Sequence, residues 1–196
     1  MKRNATVDRE TKETKIHIDI NLDGTGKISV DTGIPFMDHM LTLMAAHGFM
    51  DLNITASGDI DVDYHHTVED LGICFGKAIN DSLKDKKGIR RYGQASVPMD
   101  EAMSNVVIDI SNRPFLAYRV PVNNSQTGSF DIELLEEFFR AFVTYSGITM
   151  HIDLISGKDP HHIAESVFKA LGKALDMATT IEERLDGKAN STKGLI

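Results

Sequence analysis

The chain has 196 residues, with 29 acidic side chains against 21 Lys and Arg and a formal net charge of −8, a balance that argues against an electrostatic nucleic-acid binder. Apolar residues make up 41% and charged residues 26%; this suits a soluble globular protein, and no apolar run approaches the ~20 residues of a membrane helix. A single cysteine, Cys74, excludes an internal disulfide framework and any zinc site built on several thiolates, whereas four of the eight histidines fall in two adjacent pairs.

The polar opening from Met1 to Thr6 has no signal-peptide core, which sets a reduced, cytoplasmic location as the expectation. Ile16, Ile18, Ile20 and Leu22 alternate with polar residues, and Asp23-Gly24 leads into Ile28 and Val30. That pattern predicts a β-hairpin with one buried face. After Pro35, the residues Phe36, Met37, Met40, Leu41, Met44 and Ala45 carry helical spacing, and 51–55 reads as a short strand. From 67 to 83, Val68, Leu71, Phe75, Ala78, Ile79 and Leu83 predict a long amphipathic helix. Lys84-Asp85-Lys86-Lys87-Gly88 is a charged connector ending on a helix-stopping glycine. Beyond it come strands at 106–110 and 115–120, a helix at 132–145, a strand at 149–155 and a helix at 163–178. A polar, glycine-punctuated tail closes the chain. The expected division is therefore a first β/α half at 1–88, a second at 89–183, and a tail at 184–196.

The second half replays the first in detail. Asp63-Tyr64-His65-His66-Thr67-Val68-Glu69 is echoed by Asp159-Pro160-His161-His162-Ile163-Ala164-Glu165. His65 and His161, His66 and His162, and Glu69 and Glu165 each stand 96 positions apart. A tandem duplication of one β/α unit of roughly 98 residues accounts for this, within an α+β class.

On a helix, either histidine of His-His-x-x-Glu can share a face with the glutamate. The two histidines themselves lie about 100° apart around the axis. Adjacent ligands pointing apart suit two metal ions, or one ion completed by another segment or subunit. The competing reading of one copy is a solvated helix start with its glutamate near the positive end of the dipole; two copies in register favour metal. Imidazole and carboxylate without thiolate fit zinc, manganese, iron, nickel or copper, and spacing does not choose among them. His39, in Asp38-His39-Met40-Leu41, sits on the first predicted helix beside an acid able to orient its second nitrogen. His151 lies in a strand leading to the His161-His162 loop, within reach of the same site. His47 precedes Gly48 at a helix end, where a protonated imidazole is favourable. His17 alternates with buried isoleucines and should face solvent. Arg90-Arg91, Arg113 and Ser191-Thr192-Lys193-Gly194 would make a phosphate pocket if they converge, and read singly as solvated charge.

Three segments together, Gly33-Ile34-Pro35-Phe36-Met37-Asp38-His39-Met40-Leu41, Asp63-Tyr64-His65-His66-Thr67-Val68-Glu69-Asp70 and Pro160-His161-His162-Ile163-Ala164-Glu165, closely resemble the imidazoleglycerol-phosphate dehydratase family. The match runs from Thr11-Lys12-Glu13-Thr14 to Ser191-Thr192-Lys193-Gly194, as in the monofunctional form without a phosphatase segment. Asn190 departs from the proline that the family would place before Ser-Thr-Lys-Gly.

The resemblance implies two halves, each a four-stranded mixed sheet with helices on one face, in the manner of ribosomal protein S5 domain 2. It implies a trimer-based 24-mer with active sites between subunits, to which the tail contributes. It assigns His39, His65, His66, Glu69, His151, His161, His162 and Glu165 as ligands of two Mn2+ ions per active site, with three imidazoles and one carboxylate each. The implied reaction converts D-erythro-imidazole-glycerol phosphate to imidazole-acetol phosphate and water in L-histidine biosynthesis. That substrate has no carbonyl to acidify the departing proton, so the implied route runs through a di-metal-bound imidazolate that expels the side-chain hydroxyl and a diazafulvene-like intermediate. Glu13 is the implied acid/base, His47 a second polar group near the ring and Asp100 a weaker one. Arg91, Arg113, Lys169, Ser191 and Lys193 are the implied phosphate contacts. Two other classes fit the same residues: a di-metal hydrolase and a non-catalytic metal-binding shell protein.

Overall fold

An antiparallel strand pair opens each half and a long helix closes it. The computed structural model describes residues 2–122 and 125–196. The first half runs β1 (Asn4–Glu10), β2 (Thr14–Asn21), β3 (Ile28–Asp31), α1 (Pro35–His47), β4 (Asp51–Gly58) and α2 (His65–Leu83). The second runs β5 (Tyr92–Met99), β6 (Ala102–Ile110), β7 (Phe115–Arg119), β8 (Gln126–Thr127), β9 (Phe130–Asp131), α3 (Leu134–Ser146), β10 (Ile148–Ser156) and α4 (Pro160–Thr179), followed by a 3-10 turn at Glu183–Leu185.

The two sheets share one topology. Their orders are β1-β2-β4-β3 and β5-β6-β10-β7. In each, the last pair is parallel and joined by a helical crossover, while the other pairs are antiparallel. The β8–β9 ribbon is an addition of the second half.

The expected hairpin between β2 and β3 does not form. β2 pairs with β1 and β4, and β3 lies parallel to β4. Asp51, at the start of β4, holds the loop that leads into β3. Its carboxylate accepts the backbone N–H groups of Thr25 and Lys27 at 2.6 and 2.9 Å and pins the connecting loop across the sheet. The strands β1 and β5, absent from the sequence reading, are the edge partners of the two hairpins. β1 buries only Val7, and β5 carries Gly93 and Pro98, so neither shows an alternating apolar face.

Helices cover one face of each sheet, and the two helical layers meet between the sheets. α1 lies on α4 and α2 on α3, so each contact joins the two halves. Phe75, Phe138, Phe139, Phe142 and Phe168 are buried there, with ring centroids 5.4 Å apart for Phe75–Phe142 and 5.7 Å for Phe138–Phe168. Two glycines 96 positions apart let the backbones close in. A Cβ on Gly76 would sit 2.6 Å from the Phe142 carbonyl oxygen, and one on Gly172 would sit 2.3 Å from that of Met44. The α1–α4 packing places the start of α4 beside the first turns of α1, where Phe36 and His39 meet the His161 ring.

Candidate metal centre

Both long helices begin in the same way. Asp63 and Asp159 accept the backbone N–H of His65 and of His161, each at 2.8 Å, which aims the first turn and its two histidines. Within each pair the rings are perpendicular, at 89°, with centroids 6.1 Å apart for His65–His66 and 6.4 Å for His161–His162. The divergence expected of successive helical residues is therefore present in both copies.

At the start of α4, His161 Nε2 lies 3.1 Å from Glu165 Oε1, one turn on. His39 Nε2, from α1, lies 3.0 Å from the same oxygen. One donor atom from each of the three falls within 4.8 Å of the others. The second oxygen, Oε2, is paired with Lys169 Nζ at 2.5 Å. Glu165 is buried, which by itself would raise its pKa; Lys169, His39 and His161 outweigh burial and bring it down to about 2. An ionised carboxylate facing two imidazole nitrogens is a donor set that fits a borderline divalent cation. Among the described residues no other such cluster occurs.

The remaining expected ligands stand apart from that cluster. His66 turns Nδ1 to Asp59 at 3.0 Å, and His162 turns Nδ1 to Glu101 at 2.7 Å. In both, Nδ1 is the nitrogen engaged and Nε2 makes no hydrogen bond among the described residues. His65 and Glu69 share the start of α2 with His66 but gather no third ligand. His151 lies mid-strand on β10 between buried Met150 and Ile152, so it projects from the sheet face opposite the helices. Its ring meets Phe115 at 5.9 Å rather than the His161-His162 segment. Asp38, expected to orient His39, is engaged elsewhere: its Oδ1 accepts the N–H and the hydroxyl of Thr32 at 2.8 and 2.6 Å and braces the loop entering α1.

Glu13 occupies the turn before β2, its Oε2 3.9 Å from His66 Nδ1. Asp100, at φ 49° in the β5–β6 turn, has Oδ2 3.9 Å from His162 Nε2. His47 ends α1 as expected, but burial pushes its pKa down and Lys173 and Lys169 push it further, against the protonated form that a helix terminus favours.

Arg91, Arg113, Ser191 and Lys193 do converge, around a cavity of about 940 Å³ walled by the tail. Arg91 donates through Nε and Nη2 to Asp109 at 2.7 and 3.1 Å and through Nη1 to the Asn190 carbonyl at 2.9 Å. Arg113 reaches the same Asp109 at 3.4 Å with most of its side chain exposed. Asn190 donates from Nδ2 to the Arg90 carbonyl at 2.8 Å, a bond that proline cannot make. Lys169 lies with Glu165 and not at this cavity. Sequence spacing missed Asp59, Glu101 and Asp109, the carboxylates that hold these groups. Of the three, only Asp109 carries a local signal, as a lone acid in the apolar run Val106-Val107-Ile108-Asp109-Ile110.

A family model described as imidazoleglycerol-phosphate dehydratase matches residues 32–175. The imidazoleglycerol-phosphate dehydratase of Syntrophobacter fumaroxidans is 55% identical over 195 residues, covering 100% of this chain and 98% of the relative. That of Desulfosudis oleivorans is 55% identical over 196 residues, with 100% of both chains covered. Among solved structures, the imidazoleglycerol-phosphate dehydratase of Staphylococcus aureus superposes with a TM-score of 0.83 at 41% identity, covering 91% of this chain and 99% of that one. The enzyme from Pyrococcus furiosus, solved in complex with (S)-C348, gives 0.84 at 38% identity, covering 97% and 100%. Two halves of one topology, a histidine–glutamate cluster where their helices pack and end-to-end likeness to these proteins agree: the chain belongs to the imidazoleglycerol-phosphate dehydratase family.

Proposed function

We propose that the chain dehydrates D-erythro-imidazole-glycerol phosphate to imidazole-acetol phosphate and water, a step of L-histidine biosynthesis, with divalent metal as cofactor. The observation that carries this reading is the meeting of His39, His161 and Glu165, three donors from both halves of a chain of this family. His65, His66, Glu69, His151 and His162 complete the proposed ligand set. Because these groups stand apart from the cluster within one chain, the sites are proposed to close between copies, in a trimer-based 24-mer holding two Mn2+ ions per active site. Bound metal supplies Lewis acidity that lowers the pKa of an imidazole ring in contact with it.

The chain's own groups handle the rest. Arg113 and Lys193, with Ser191, present donors to the phosphate, while Arg91 ties the tail to Asp109 so that the pocket keeps its shape. Lys169 stands apart from that pocket, paired with Glu165, so its proposed contact with the phosphate, like the remaining ligands above, requires a neighbouring copy. Glu13 carries the proton transfers. A C–H proton and the neighbouring hydroxyl leave as water, giving an enol, and return of a proton to carbon gives the ketone. His47, its pKa lowered by burial, is assigned a hydrogen bond with the ring.

The test is incubation with imidazole-glycerol phosphate and manganese(II), following imidazole-acetol phosphate. Wild type is expected to form product, chelation to abolish turnover and loosen the assembly, and Glu13→Gln to slow turnover by about 10² to 10⁴ with metal retained. An active, intact chain after complete metal removal overturns the reading.

A further inference from the structure

Glu101 has no part in the reaction just described, yet its carboxylate holds three groups at once. It follows Asp100 in the tight turn between β5 and β6. Its Oε1 accepts the backbone N–H groups of Lys158 and Asp159 at 3.1 and 2.9 Å. Its Oε2 takes His162 Nδ1 at 2.7 Å. Asp159, held in this way, in turn accepts the N–H of His161. One side chain therefore joins the hairpin turn, the loop entering α4 and the second imidazole of the pair. A neutral ring that donates from Nδ1 has its lone pair on Nε2, the form that can coordinate a metal.

The first half reaches the same arrangement from a different element. Glu13 directly precedes β2 as Glu101 directly precedes β6, so the two occupy matching places in the duplicated fold. His66 nevertheless takes its Nδ1 partner from Asp59, in the loop entering α2, and Glu13 stands off at 3.9 Å. Where the loop supplies the orienting carboxylate, the hairpin carboxylate is released.

We propose that Glu101 is a positioning residue for His162, fixing the rotation and tautomer of its ring so that Nε2 is presented to metal. The duplicated hairpin carboxylates have thereby divided their tasks: Glu101 orients a ligand, and Glu13 stays free for proton transfer. The inference rests on the metal centre proposed above.

Manganese(II) alone is the probe. The purified full chain and the variants Glu101→Ala, Glu101→Gln, His162→Ala and Glu101→Ala/His162→Ala are dialysed against graded free manganese, and bound metal per chain is counted. Glu101→Ala is expected to weaken one class of site by about 10- to 100-fold. Glu101→Gln, which keeps a carbonyl oxygen for the Nδ1–H, is expected to lose less. Adding Glu101→Ala to His162→Ala is expected to cost much less than Glu101→Ala does alone, since most of its effect passes through that ring. Equal uptake by wild type and Glu101→Ala, or a full second loss on the His162→Ala background, overturns the proposal and leaves the metal centre standing. A wild-type chain that takes up no manganese overturns the metal centre itself. Should Glu101→Ala fail to fold, Glu101→Gln with and without His162→Ala is judged by the same criteria.

Discussion

Five of the eight histidines are defined by the carboxylate they meet. Glu165 gathers His39 and His161, Asp59 and Glu101 each turn one ring of a pair, and His17 bridges Asp8 and Asp19 at 2.8 and 2.9 Å on the outer face of the first sheet. The hydrogen bonds to Asp8 and then Asp19 raise the pKa of His17 above its ordinary 6.5. A raised folded-state value means that the protonated ring stabilises the fold. That contribution is complete below the unfolded value and fades as pH climbs through the folded one. Wild type should therefore exceed His17→Gln in Tm by about 2 °C near pH 5.5, and the margin should vanish at about pH 9. Thermal melts at the two pH values check this, and a margin independent of pH would count against it. The outward face of His17 was legible from its place between isoleucines. Asp19, two residues on in β2, shares that face; Asp8 was not legible as a partner, because cross-strand pairing with β1 is a matter of register.

At the scale of elements, the packing of α2 on α3 and of α4 on α1 decides where the paired histidines and their glutamates lie. Gly172 allows α4 to approach Met44 of α1, and the same approach brings His39 to Glu165. Gly172→Ala should push these helices apart, costing about 1–3 kcal/mol in denaturant unfolding. It should also weaken manganese uptake at the His39–His161–Glu165 cluster. Unchanged stability with unchanged uptake would show that the crossing tolerates a methyl group. Helices were readable because their apolar faces repeat every three to four residues over several turns, and the doubled His-His-x-x-Glu marked where two of them start. The edge strands β1 and β5 lack that repetition. The pairing of β3 with β4, and the hold of Asp51 on Thr25 and Lys27 that accompanies it, join residues far apart in sequence.

For the whole molecule, net charge and local charge part company. A chain with a formal charge of −8 keeps Arg91, Arg113 and Lys193 around one cavity. It does so by setting a single acid, Asp109, against two arginines. Asp109→Asn leaves Arg91 buried with less than half of its compensation, and should destabilise the chain by about 3 kcal/mol. It should also free the tail, since Arg91 holds the Asn190 carbonyl. Trypsin cleavage at Lys188 or Lys193 in the otherwise native chain is the readout, and a rate equal to that of wild type would separate the tail from Asp109. No helix among the described residues is long and apolar enough to cross a membrane.

The interleaved helical layer also constrains what came before the duplication. A lone unit of roughly 98 residues would leave the inward faces of both its helices uncovered. It could bury them only against an identical partner, in the way α1 now meets α4 and α2 meets α3. Such an ancestral pair would have two equivalent sites by symmetry, and any substitution would alter both. Joining the copies end to end lifted that constraint. Asp59 and Glu101 are what the freedom left behind: two unrelated answers to one structural demand, side by side in a single chain.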